Sequence, residues 1–113
     1  MSVAKIESLD DGQFQVSGVL DATTVTAILK RSRSLFADVK VIRIGLGGVT
    51  ESDSSGLALL IEWLRLAQQG RQKIAFSNVP QQIEALARIS EVEDLFHANG
   101  SSLAAQPTAA AAQ

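Results

Sequence analysis

The chain opens on short alternating stretches and then shifts to helical spacing. Residues 3–9 read as a strand, Asp10-Asp11-Gly12 carries turn chemistry, and residues 14–17 supply a return strand, so the start predicts a hairpin. Asp21 offers an N-cap to a helix running to about Phe36. Val25, Ile28, Leu29, Leu35 and Phe36 fall on one face of it, while Lys30, Arg31 and Arg33 lie on the others as a solvated surface. Residues 39–46 are rich in Val and Ile, and Ile42, Ile44 and Leu46 alternate, which suits a buried strand. Gly45, Gly47 and Gly48 are expected to break that strand into a loop. A second helix spans 54–69, with Gly70 as its stop. Residues 73–76 make a short strand with Ile74 and Phe76 on one face. Pro80 suits the first turn of a third helix reaching about Ser90, with Ile83, Leu86 and Ala87 inward. Leu95-Phe96 adds a short last element. The order β-β-α-β-α-β-α predicts an α/β fold, a mixed sheet of about four to five strands covered by three or more helices.

Composition narrows this picture. At 113 residues with 46% apolar content, the chain can build one packed core. From Gly100 onward the residues are Ser, Ala, Gln, Pro and Thr with one Leu, so we expect one domain over 1–99 and a flexible tail over 100–113. A net charge of -2 leaves no basic surplus for phosphates, and nucleic acid is not an expected partner. No window reaches the roughly 18 apolar residues of a membrane span, and the start lacks the apolar core of a secretory signal. The expectation is a cytoplasmic protein that does not insert into the membrane.

Position 53 onward is the most informative stretch. Asp53-Ser54-Ser55-Gly56 runs straight into a helix whose residues 57–69 are apolar around most of the wheel. With Leu57 as origin, the apolar arc from Leu66 through Leu60 to Ile61 sweeps roughly 220°, about twice what packing on one sheet requires. Either neighbouring helices cover the surplus or the edge near Leu59, Trp63 and Leu66 is open to a partner. The junction itself sets hydroxyls at a helix N-terminus, where backbone N–H groups and the dipole favour negative charge. One cap is all the helix needs, and any of Ser52, Asp53 or Ser54 would serve. A phosphate on Ser54 would be favoured by the helix and repelled by Asp53 and Glu51, a balance suited to switching a binding event.

No catalytic constellation stands beside this. Absence of cysteine removes disulfides, thiolate nucleophiles and the usual zinc clusters, and the single His97 cannot make a metal site alone. Gly45-Leu46-Gly47-Gly48 lacks the further glycine that a dinucleotide fingerprint would need at position 50, which is Thr50. Ser54 is not in a Gly-x-Ser-x-Gly elbow that could pair it with His97. No cofactor and no metal are expected.

The element order and the segment Val49-Thr50-Glu51-Ser52-Asp53-Ser54-Ser55-Gly56-Leu57-Ala58-Leu59-Leu60 resemble the STAS domain family, over roughly residues 3–97. Gly18-Val19-Leu20-Asp21 is similar to that family's Gly-x-Leu-Asp entry to its first helix. Two branches are implied. In anti-sigma-factor antagonists, the residue matching Ser54 is phosphorylated by an anti-sigma factor kinase. In the Mla phospholipid-transport ABC transporter, a STAS subunit binds the cytoplasmic ATPase subunit and, through it, the membrane permease. The long apolar helix and Asn78-Val79-Pro80 with Ile83, Leu86 and Ala87 look like the second branch; Asp53-Ser54-Ser55-Gly56 is the antagonist spelling. The resemblance implies a non-catalytic regulatory subunit, peripheral at the inner membrane, that supports lipid asymmetry. Its partner surface would be Thr50, Glu51, Ser52, Asp53, Ser54 and Ser55 together with the edge at Leu59, Trp63 and Leu66.

Overall fold

The computed structural model describes residues 2–97. The elements are β1 (Ala4–Asp10), β2 (Gln13–Leu20), α1 (Val25–Phe36), β3 (Val41–Ser52), α2 (Ser54–Gln69), β4 (Lys73–Ser77), α3 (Gln81–Ile89) and α4 (Glu93–His97). The strands stand side by side in the order β1-β2-β3-β4, the first pair antiparallel and the other two parallel. The expected α/β order is therefore present, closed by the short α4 around Leu95 and Phe96. The tail expected over 100–113 lies outside the described residues.

Alternation sets which face is buried. Ile6, Phe14, Val16, Ile42, Ile44, Leu46, Ile74 and Phe76 point into one core with the helices. Lys5, Glu7, Gln13, Arg43 and Lys73 lie exposed on their strands, so one sheet face is covered and the other faces water. All four phenylalanines and the single tryptophan of the chain sit in that core. They form one row of rings, Phe14–Phe36–Trp63–Phe76–Phe96, with neighbouring centroids 4.7, 5.8, 6.2 and 5.9 Å apart. The row runs through β2, α1, α2, β4 and α4.

Four local expectations are corrected. First, the glycine run does not end the third strand. Gly45, Gly47 and Gly48 lie inside β3, which continues to Ser52 beside β2. A Cβ on Gly45 would come 2.8 Å from Gln15 Oε1, and one on Gly48 would come 2.8 Å from Ser17 Cβ. These glycines let the side chains of β2 lie across β3, and the register slips on either side of Ser17 and Gly18 accommodate the same crowding. Second, α1 starts one turn later than expected, with Thr24 at the N-cap position rather than Asp21.

Third, Gly70 is the C-cap that stops α2, as expected, but it is not left-handed. Its φ is -86°, and Arg71 takes φ 57° instead. Arg71 N–H bonds Gln68 O at 3.2 Å and Gln72 N–H bonds Ala67 O at 2.8 Å, the paired bonds of a Schellman turn. The same turn closes α3, with Glu91 at φ 59°.

Fourth, the open edge of α2 is closed. Trp63 is 1% and Leu59 3% exposed, both within the core. Trp63 Nε1 donates to Ser32 Oγ at 2.8 Å, and Ser32 in turn donates to Leu29 O at 2.7 Å. Helices α1 and α3, with β4, surround α2 and take up the wide apolar arc. Leu66 is half-buried beside a crevice of about 270 Å³ that Phe36, Ile42 and Trp63 also line.

Candidate functional site

The parallel strands β2 and β3 end together, with Leu20 opposite Ser52, and both chains turn there into helices. Asp53 N–H donates to Leu20 O at 3.2 Å, which ties the two ends. Asp53 alone separates β3 from α2, so the contact surface expected over Thr50–Ser55 is a strand end and a helix start with one residue between them. Thr50, Glu51 and Ser52 are the last residues of a strand.

Asp53 caps α2. Its backbone is extended and its Oδ1 accepts from Ser55 N–H at 2.7 Å. Ser54 is the first helical residue and is exposed; its hydroxyl has no partner among the described residues. Ser55 is half-buried. Ser52 has a different task from its neighbours. It is buried, its N–H donates to Gln82 Oε1 at 2.9 Å, and its Oγ donates to Asp53 O at 3.1 Å. Gln82 thereby anchors the first turn of α3 to the end of β3. Gly56 completes the junction, because a Cβ there would stand 1.9 Å from Ser52 Oγ and 3.2 Å from Ile83 Cδ1. The Ser-x-x-x-Gly spacing is thus a packing requirement between strand end and helix start.

The entry to α1 lies alongside. Asp21 accepts from Thr23 N–H at 2.9 Å, from Thr23 Oγ1 at 2.6 Å and from the Ser2 hydroxyl. These bonds, that from Ser2 first, hold its carboxyl below the usual carboxylate range. Thr24 Oγ1 donates to Val19 O at 2.8 Å and accepts from Asp21 N–H at 3.0 Å. Between the first turns of α1 and α2 runs a groove of about 350 Å³, lined by Ala22, Val25, Thr26 and Leu29 on one side and Ser55, Ala58, Leu59 and Glu62 on the other. Glu62 holds Arg65 through two bonds of 3.0 and 2.6 Å, which lower the Glu62 carboxyl from its usual range.

Of the residues singled out from sequence, Thr50, Glu51, Asp53 and Ser54 share one exposed end of the molecule. Ser52 is structural, Leu59 reaches the groove only as part of its floor, and Trp63 and Leu66 lie farther along α2. Sequence reasoning missed the α1 wall of the groove and the Gln82 anchor. Small residues Ala22, just before α1, Thr26 on α1, and Ser55 and Ala58 on α2 were the available signal for the groove; nothing marked Gln82. The arrangement offers an exposed, acid-flanked hydroxyl close to a groove, a surface that a partner can contact. Among the described residues no three of His, Cys, Asp and Glu gather as a metal site requires, and no helix is long and apolar enough to cross a membrane.

Comparison with known proteins agrees with this geometry. A family model described as "Mlab, STAS domain" matches residues 4–97. Among solved structures, the chain is similar to one described as "Structure of the Anti-Sigma Factor Antagonist SpoIIAA in its Unphosphorylated Form". The TM-score is 0.64 at 16% identity, covering 82% of this chain and 84% of that one, a likeness of fold. No curated protein matches the sequence.

Proposed function

The chain belongs to the STAS domain family, and on that premise we propose that it is a non-catalytic regulatory subunit of a Mla-type phospholipid-transport ABC transporter. In this reading it binds the cytoplasmic ATPase subunit, stabilises it, and is held at the inner membrane through the permease. The observation that carries the reading is the match of residues 4–97 to the "Mlab, STAS domain" model; the contact is supplied by the exposed Ser54 hydroxyl, without a partner among the described residues, next to Ser55 in the groove between α1 and α2. Such a surface can accept a side chain from a partner without any change of fold. Glu51 and Asp53 flank it, so the fitting partner presents basic groups around an apolar knob.

The test is recovery of the native complex with its membrane subunits, followed by titration of the purified ATPase subunit. Ser54→Glu is expected to keep the melting temperature of the free domain within a few degrees, because a helix N-terminus favours negative charge. It should weaken ATPase binding by about tenfold or more, since the added charge must lose water beside Asp53 in the complex. Unchanged affinity would move the interface elsewhere. The second reading is an anti-sigma-factor antagonist switched by phosphorylation of Ser54, favoured by the Asp53-Ser54-Ser55-Gly56 spelling and the same exposed hydroxyl. Recovery of a kinase bound only to the unmodified chain, in place of an ABC ATPase, supports that alternative.

A further inference from the structure

β1 is an edge strand that, among the described residues, pairs with β2 alone. Such an edge is a template for another strand unless its side chains prevent it. Val19 N–H donates to Val3 O at 2.9 Å in a register that sets Ala4 opposite Gly18. Bonded positions alternate in an antiparallel ladder, so Val3, Lys5 and Glu7 turn their backbone groups toward β2. Ala4, Ile6 and Ser8 therefore turn theirs outward. The side chains on the solvent side of this strand include two exposed apolar groups, Val3 at 69% and Leu9 at 60%. Between them stand Lys5 and Glu7, 3.7 Å apart and both more than half exposed.

This strand is complementary to itself. When a second copy is laid antiparallel with Ile6 against Ile6, the outward backbone groups of Ile6 bond each other, and those of Ala4 and Ser8 flank them. Lys5 then stands opposite Glu7 of the second copy, twice by symmetry, in the positions where cross-strand side chains approach most closely. Val3 stands opposite Leu9, where β1 bulges away from β2 between Ser8 and Asp10. Sliding the strands by two residues puts Lys5 on Lys5 or Glu7 on Glu7, so the charges select one register. We propose that β1 is a self-association edge, through which two copies of this chain join their four-stranded sheets into one continuous sheet. Because the two β1 strands run antiparallel, the two Asp53–Ser54 junctions face opposite ends of the joined sheet. Each remains accessible.

Sedimentation equilibrium on the full chain, from micromolar to millimolar concentration, reads the association directly. The mass should rise from 12.0 kDa toward twice that value. Lys5→Glu alone and Glu7→Lys alone should each stay monomeric with an unchanged circular dichroism spectrum, since both side chains are exposed. An equimolar mixture of the two single variants should recover the doubled mass, as should the Lys5→Glu/Glu7→Lys double variant. A native chain that stays monomeric throughout overturns the proposal. Dimers indifferent to either reversal, or single variants that fail to associate on mixing, overturn it equally.

Discussion

At Gly56 one absent methyl group decides how the strand end and the helix start fit. A Cβ would meet Ser52 Oγ at 1.9 Å, so Gly56→Ala must displace the hydroxyl that bonds Asp53 O. The expected cost is about 1–3 kcal/mol by chemical denaturation. Ser52→Ala in the same chain should restore part of it, leaving a coupling of about 0.5 kcal/mol or more in the double-mutant cycle. Simple additivity would show that the clash is relieved elsewhere. Trp63→Ala should cost about 3–5 kcal/mol of folding stability, because it empties the middle of the aromatic row and removes the donor to Ser32 Oγ. The free protein should show blue-shifted tryptophan emission; a red maximum contradicts the burial of Trp63. The Asp53-Ser54-Ser55-Gly56 motif was legible from sequence because capping acts within one turn of chain. The fate of Trp63 was not, because the rings on either side of it come from α1 and β4, distant in the chain.

Elements show the same division. Helix α2 ran over 54–69 as its spacing implied, since a cap and a continuous apolar arc are local signals. Strand β3 outran its expected end by six residues, from position 46 to Ser52. Glycine reads as a breaker when only one strand is considered; beside Gln15 and Ser17 of β2 it is what allows the strands to close. The stop of α2 at Gly70 was legible, but the residue in the left-handed conformation is Arg71, next to the glycine. A side chain there carries a steric cost that glycine does not, of roughly 1 kcal/mol. Arg71→Gly is accordingly expected to raise the melting temperature by a few degrees, in calorimetry of the free domain. A loss of stability would mean that the Arg71 side chain offsets that cost.

For the molecule as a whole, the fastening of the chain start to the α1 entry is a pH-sensitive contact. Ser2 and Thr23 hydrogen bonds depress the Asp21 carboxyl, so the folded state favours its ionised form. That contribution is complete above the ordinary carboxylate range and is lost as pH falls through the lowered value. Asp21→Asn should flatten the acid limb of the melting temperature measured between about pH 5 and pH 2. An unchanged limb assigns acid sensitivity to other carboxylates. The single-residue junction between β3 and α2 has a wider consequence for any enzyme that would modify Ser54. An active site that draws an extended peptide through a cleft finds no slack here, because the residue before Ser54 is clamped to Leu20 and the residues after it are already coiled. Ser54 can be reached only by an enzyme shaped to the folded domain. For such an enzyme the architecture would act as an address, withholding a common serine sequence from modifiers that need slack chain.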